Sequence, residues 1–347
     1  MISTVAAAAS CCSRTSSRSS AASAPRSTPG HMGVRSEART VFRPDGSIRS
    51  RQRAPQIQTS WPLIYSTLKA SFGDAQYHRG KRLVRVAQDA AGVTAFFEDG
   101  SRETGDLLIG ADGGNSTVRS LLWPDLQPGY AGYLAWRGLV PENAMPPAAR
   151  AALHGDFGFA SNTGSHILGY LVPGDGNDIR PGHRLYNWVW YRVADARQLQ
   201  DIMTDRDGVA RGYSVPEGKL ADRWAGHLHG DAARLLPLPF RQIVAATQRP
   251  FAQAIRDLAA SQMVKGRVLL LGDAAAIPRP HTAASTSKAA ANALDLADQL
   301  AAAPGDIAGA LARWEIPQVA YGKQLERQGR EAGDHLLFHA RPASATG

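Results

Sequence analysis

The stretch Gly266–Leu300 reads GRVLLLGDAAAIPRPHTAASTSKAAANALDLADQL, and its three parts decide the fold. Val268 to Leu271 is a short apolar run, long enough for one buried strand. Gly272 and Asp273 stand where that strand has to end. After a loop punctuated by Pro278 and Pro280, Ala283 to Leu300 is dense in Ala and Leu and reads as a helix. A strand, a glycine turn, a lone carboxylate and a helix N-terminus form the arrangement in which open α/β sheets bind ligands. Free amides at such a helix start can meet an anion or a polarised carbonyl. Asp273 can accept hydrogen bonds from hydroxyls. The bland alternative is an ordinary strand–loop–helix with an exposed aspartate, and residue types alone do not separate the two.

A chain of 347 residues can bury a large core and hold two domains. No apolar run approaches the roughly 18 residues that a membrane-spanning helix needs, so no membrane partner is expected. The formal charge of +9 is dispersed, and part of the excess lies in the N-terminal segment. No element carries the clustered Arg and Lys of a nucleic-acid binder, so the charge points to anionic small molecules if to anything. Cys11 and Cys12 are the only cysteines. Adjacent cysteines make a poor structural disulfide, and no metal-ligand spacing exists, so no metal and a reducing, cytoplasmic setting are expected.

Residues 1–40 are built of Ala, Ser, Arg, Pro and Gly, with Glu37 the first acidic residue. They show no apolar face whose burial could offset the entropy of ordering them, so a disordered tail is expected, with folded sequence from about Val41. An Arg- and Ser-rich, acid-free start fits an organelle transit peptide or a misassigned start of translation, and the second is preferred here. Pro44-Asp45-Gly46 signals a turn. Trp61 to Ala70 is an amphipathic helix with Thr59 or Ser60 as cap. Leu83 to Val86, Val93 to Phe97 and Leu107 to Gly110 read as strands.

The last of these strands runs into GADGGNSTVR, Gly110 to Arg119. Gly110, Gly113 and Gly114 permit a left-handed backbone or a close approach to a ligand. Ser116 is a natural cap for a helix from Thr117 to Leu122, and Arg119 can reach back to a carboxylate or a phosphate. Downstream, Tyr130 to Val140, His166 to Val172 and Leu185 to Val193 read as strands of an antiparallel sheet inserted into the α/β domain. Trp188, Trp190 and Arg192 share one face of the third strand. Four of the seven tryptophans lie between Trp123 and Trp190, as an aromatic wall over a flat substrate or simply as a packed sheet face. Asp195 to Met203, Gly218 to Leu236 and Pro250 to Ala259 are expected helices. Ile307 to His339 is a long helical region that Pro317 kinks or divides.

Asp112-Gly113-Gly114-Asn115-Ser116-Thr117-Val118-Arg119 resembles the internal Asp-Gly motif of the single-component FAD-dependent aromatic hydroxylases, the family of the para-hydroxybenzoate hydroxylase-like fold. Gly272-Asp273-Ala274-Ala275 resembles that family's second flavin fingerprint, and the two occur in the family's order. YLAWRG (133–138), NWVWYR (187–192), RPH (279–281) and TSKAAA (286–291) look like the branch that hydroxylates 2,6-dihydroxypyridine-type rings. The resemblance implies an α/β, FAD/NAD(P)-binding three-layer fold, N-terminally truncated, with an inserted, mainly antiparallel β-sheet substrate domain and C-terminal helices. It places the FAD-binding domain at 41–124 and 251–305, the substrate sheet at 125–250, and a helical region and tail at 306–347.

The implied activity is hydroxylation of an electron-rich aromatic or pyridine-type ring with NAD(P)H and O2, by a chain that can be a homodimer. Gly272 and Asp273 would face the ribityl hydroxyls of FAD. Ala283, Ala284 and Ser285 would turn their amides to the flavin pyrimidine edge. Asp112, Gly113 and Arg119 would lie toward the pyrophosphate or the nicotinamide nucleotide. Pro280 and His281 would pass beside the flavin ring, with His281 the candidate base and Trp188 and Tyr191 near the substrate. Two departures stand out. Nothing before Pro44 reads as a strand running into a GxGxxG-like loop, so a truncated or frame-shifted start is the simplest expectation. Ala283 and Ser285 also stand where the family commonly has glycines. A related flavin reaction and a non-catalytic binding protein are the alternatives.

Overall fold

Strand β1 (Val34–Phe42) turns Val34, Ser36, Ala38, Thr40 and Phe42 inward and the residues between them outward. The computed structural model describes residues 32–75 and 77–338. Ordered chain thus begins before the Val41 start expected from composition, because Ser36, Ala38 and Thr40 are too small or polar to give an apolar signal. Thr40 Oγ1 instead donates to Asp156 Oδ2 at 2.7 Å. The expectations for residues 1–31, including Cys11 and Cys12, lie outside the described residues. The Pro44-Asp45-Gly46 turn leads into β2 (Ile48–Gln58), the edge strand of its sheet. Arg49, Arg51, Arg53 and Pro55 on β2 suit an edge that must not recruit another chain.

Helix α1 (Trp61–Phe72) follows, with Ser60 Oγ accepting from Leu63 N at its start. A meander of β3 (Leu83–Gln88), β4 (Val93–Phe97) and β5 (Arg102–Gly105) precedes β6 (Leu108–Gly110) and helix α2 (Thr117–Leu122). The chain continues through β7 (Gly129–Pro141), α3 (Pro147–Leu153), β8 (Phe157–Asn162), β9 (Ser165–Val172) and β10 (Leu185–Val193). Then come α4 (Ala196–Ile202), β11 (Ser214–Val215), α5 (Asp222–Leu235), α6 (Leu238–Ala245) and β12 (Phe251–Ala259). The last elements are β13 (Val264–Lys265), β14 (Val268–Leu270), β15 (Ala276–Ile277), α7 (Ser285–Ala302) and α8 (Ile307–Leu337). Pro317 lies inside α8 and does not divide it.

Among the described residues two compact units emerge, one of 32–73, 132–255 and 334–338, the other of 74–131 and 256–333. The first is built on a sheet with strand order β11-β12-β7-β10-β9-β8-β1-β2. Its pairs β7–β10, β10–β9, β9–β8 and β1–β2 are antiparallel, and β1–β8 is parallel. Trp188 and Trp190 have no exposed surface. Trp188 Nε1 donates to Thr247 Oγ1 at 2.8 Å, and Trp190 Nε1 to Ser165 Oγ at 2.6 Å. Gly138 pairs with Trp188 across β7 and β10, and a Cβ there would come within 2.6 Å of the indole. The tryptophan face is therefore packed interior rather than a wall facing a ligand, with the glycine of WRG making room for a ring.

In the second unit β6 and β14 are parallel neighbours, with β13 beyond β14. Val268, Leu269 and Leu270 are fully buried and pack with Val118, Trp123, Met263, Leu296, Leu311 and Trp314. The expected helix from Pro250 to Ala259 is strand β12. Its Ala-rich sequence favours a helix locally, but pairing with β11 on one side and β7 on the other overrides that preference. Its final residues, Leu258 and Ala259, pair with β15. This is an α/β fold with a mixed sheet and C-terminal helices, as expected. No helix among the described residues is long and apolar enough to cross a membrane.

Candidate functional site

The register Leu108↔Val268, Ile109↔Leu269, Gly110↔Leu270 makes both glycine–aspartate loops leave the same end of two adjacent parallel strands. Ligands of open α/β sheets bind outside that carboxyl end. Gly110 is required there by packing, since a Cβ would meet Val118 at 2.9 Å and Leu270 at 3.0 Å. Leu271 N donates to Gly110 O at 2.9 Å and locks the two strand ends together.

Asp112 is a cap. Its carboxylate accepts from Ser116 Oγ, from Thr117 N at 2.6 Å and from Val118 N at 3.1 Å, and Ser116 Oγ in turn accepts from Arg119 N at 2.9 Å. The negative group thus sits at the positive end of α2, where it is favoured. Arg119 is buried and ties the loops together, with Nη2 donating to Gly114 O at 2.7 Å and Nη1 to Ala274 O at 2.9 Å. The structure gives Arg119 backbone carbonyls, a positioning task that its place in the sequence did not reveal. Gly113 is left-handed, with open space where a Cβ would be.

The second loop is a short 3-10 turn, Gly272–Ala274. Gly272 has φ +66°, its N–H donates to Asn292 Oδ1 at 3.2 Å, and a Cβ there would press on Ala289 at 3.3 Å. Asp273 follows with its side chain 40% exposed, while Lys288, from the second turn of α7, is 1% exposed. Lys288 Nζ lies 2.8 Å from Asp273 Oδ1 and also donates to Ala276 O. Among the described residues nothing donates to Asp273 Oδ2. Burial pushes the Lys288 ammonium below its ordinary pKa, and Asp273 opposes that shift.

Pro280 and His281 form a second short turn, Pro280–Thr282, with Pro280 exposed and His281 half-buried. The loop is anchored by buried Arg279, which donates from Nε and Nη2 to the Asp257 carboxylate at 2.8–3.0 Å. Ala284 is the N-cap of α7 and Ser285 its first residue, and no side chain caps that helix. Ala283 has φ +52°, a left-handed conformation rare for a residue with a Cβ. The alanine noted in the sequence therefore occupies a position that suits glycine. Ala283→Gly is expected to stabilise the protein by about 0.5 kcal/mol, because relief of roughly 1 kcal/mol of left-handed strain outweighs the added unfolded-state freedom. A shift of the urea midpoint to higher concentration checks this.

Asp112, Gly113, Arg119, Gly272, Asp273, Pro280, His281, Ala283, Ala284 and Ser285 all belong to the second unit. Trp188 and Tyr191 belong to the first. Trp188 has no exposed surface there and Tyr191 almost none. Tyr191 is stacked on His166 and meets Tyr133 edge-on. Burial raises the Tyr191 phenol well above its ordinary pKa and lowers His166 to about 4.

Two groups escaped the sequence reading. One is Lys288. The other is Arg137 in the first unit, 6% exposed, its Nη1 donating to Gln253 Oε1 at 3.2 Å and its guanidinium 5.5 Å from the Phe251 ring centre. Among the described residues no carboxylate pairs with it, and its Nε is buried without a hydrogen bond.

Residues 130–257 match the family described as FAD binding domain-like. The chain is 36% identical over 265 residues to 2,6-dihydroxypyridine 3-monooxygenase of Paenarthrobacter nicotinovorans, covering 76% of this chain and 65% of that protein. It is 30% identical over 269 residues to the FAD-dependent urate hydroxylase of Klebsiella pneumoniae, covering 77% of this chain and 61% of that protein. The matches thus span less than two thirds of these relatives. The solved structure of 2,6-dihydroxypyridine-3-hydroxylase from Arthrobacter nicotinovorans superposes with a TM-score of 0.85 at 30% identity, covering 92% of this chain and 81% of that one. With the two fingerprint loops side by side on parallel strands, these similarities establish that the chain belongs to the FAD-dependent aromatic hydroxylase family.

Proposed function

We propose that the chain serves a FAD-dependent monooxygenase that hydroxylates an electron-rich aromatic or N-heteroaromatic ring, with a dihydroxypyridine-type ring as the first candidate. The overall change is ring–H + NAD(P)H + H⁺ + O2 → ring–OH + NAD(P)⁺ + H2O. The observation that carries the reading is the pair of loops at one end of β6 and β14, with Asp273 holding one carboxylate oxygen open. That oxygen fits a hydroxyl of the ribityl chain, since an ionised carboxylate only accepts. The uncapped start of α7 fits a group that gains negative charge. These residues therefore suit a flavin.

When bound, FAD supplies the redox chemistry, taking two electrons from the nicotinamide and passing one atom of O2 to the ring. The protein's part is to bind, orient and keep water out. Asp273 and the amides of the first turn of α7, from Ser285 on, would hold the cofactor, since Ala283 N already donates to Pro280 O at 3.0 Å and Ala284 N to Thr282 Oγ1 at 3.3 Å, and Arg119 keeps the two loops in register. His281, in the turn just before α7, is the side chain suited to take the proton that the ring releases.

The test is to titrate the purified chain with FAD and then follow NADH and NADPH oxidation with O2 uptake while adding 2,6-dihydroxypyridine, phenols and carboxylated rings. Bound flavin, and nucleotide oxidation stimulated by a hydroxylated ring, are expected. A protein that takes up no FAD would overturn the reading. Bound FAD with no ring-stimulated oxidation would favour a flavin-binding protein without this activity.

A further inference from the structure

Lys288 is an expensive residue where it stands. Its side chain is 1% exposed, and it lies in the second turn of α7, close to the end of a helix that disfavours positive charge. Burying an ammonium costs several kcal/mol unless it is paired and hydrogen-bonded. For packing alone, a methionine of similar length would serve. What the ammonium contributes is specific: Nζ holds Asp273 Oδ1 at 2.8 Å and reaches Ala276 O across the same loop. The loop and the helix face are already joined by Gly272 N to Asn292 Oδ1 at 3.2 Å, so Lys288 is not needed merely to dock them.

The pair has two consequences for a ligand at this loop. Asp273 is 40% exposed on a short turn and would otherwise be free to rotate; with Oδ1 fixed, Oδ2 is left open in one direction. The pair is also neutral overall, so the site offers a carboxylate acceptor without a net negative charge. An aspartate alone would repel a cofactor that becomes anionic on reduction.

We propose that Lys288 is a positioning residue for the flavin: it orients Asp273 with one oxygen open toward the cofactor and cancels the carboxylate's charge where the reduced cofactor carries a negative one. This rests on the flavin reading above, and deepens it.

The experiment compares wild type with Lys288→Met, Lys288→Gln and Lys288→Arg, each checked for folding by circular dichroism. FAD dissociation constants are measured by flavin fluorescence, and midpoint potentials by dye equilibration. Lys288→Met is expected to weaken oxidised FAD about tenfold and the reduced form about a hundredfold. That tenfold loss of preference for the reduced form appears as a two-electron potential about 30 mV more negative. Lys288→Gln keeps a donor for Oδ1 but no charge, so it should recover affinity for oxidised FAD without recovering the potential, and it serves if the methionine variant does not fold. Lys288→Arg should restore the potential. Folded variants with wild-type affinity and potential would overturn the proposal alone, whereas a wild-type chain that takes up no FAD would overturn the flavin reading with it.

Discussion

Asp273→Ala is expected to raise the FAD dissociation constant at least a hundredfold. A hydrogen bond to a charged group contributes about 1.5–3 kcal/mol, and tenfold in affinity corresponds to about 1.4 kcal/mol. The substitution also leaves Lys288 buried beside an empty position, since its remaining partner is the Ala276 carbonyl. An unpaired buried ammonium is unfavourable enough to pull the Gly272–Ala276 loop out of shape. Asp273→Asn separates the two effects. It keeps an acceptor for Lys288 and removes the charge, so a loss nearer tenfold is expected. Flavin fluorescence quenching gives both constants, and thermal melts of the flavin-free proteins show how much of the loss is folding. An alanine variant with wild-type affinity would mean that the ribityl chain does not lie against this loop.

The parts of this site that were legible in the sequence were those announced by local chemistry. Glycine followed by aspartate at a strand end, and Ser116 ahead of a short helix, have meanings that hold whatever the rest of the chain does. The adjacency of β6 and β14 joins segments about 160 residues apart and is a fact of topology. The carbonyl partners of Arg119 and the role of Lys288 were hidden for the same reason. A lysine in an Ala-rich helix reads as a solvated side chain, and only packing shows that this one faces Asp273.

Arg137 was hidden in YLAWRG, where an arginine between apolar residues reads as the outward position of a strand. In the structure it is covered by Phe251 and Gln253 of β12, the strand misread as a helix. These two errors were linked, because a helix at 250–259 would not have placed those side chains over β7. Strand β1 escaped for the opposite reason. Three of its inward residues, Ser36, Ala38 and Thr40, are small or polar, and the partner of Thr40, Asp156, lies more than a hundred positions away.

The largest expected effect on stability lies in the sheet unit, at Glu142. Its side chain is 1% exposed and sits just past the end of β7, beside the start of β10. It accepts from Arg184 Nε at 2.8 Å, His154 Nε2 at 2.6 Å and Gly182 N at 2.8 Å, so one carboxylate gathers the sheet end, the residue after α3 and the loop before β10. Burial alone would raise its pKa, but these hydrogen bonds outweigh burial and hold it at about 2, against an ordinary 4.5. A carboxyl lowered on folding stabilises the protein above its unfolded pKa and loses that contribution as pH falls through the folded value. The contribution is about 3 kcal/mol, present at neutral pH and lost between roughly pH 4.5 and pH 2. Glu142→Gln keeps the shape but turns amide hydrogens toward Arg184 and His154, both donors. A loss of about 3 kcal/mol is therefore expected at pH 7. The gap between wild type and variant should shrink as pH falls, since acid removes from wild type what the substitution has already removed. Urea denaturation followed by tryptophan fluorescence at pH 7, 4 and 3 measures that gap. A gap that stays constant across the series would show that Glu142 acts through its shape and not its charge.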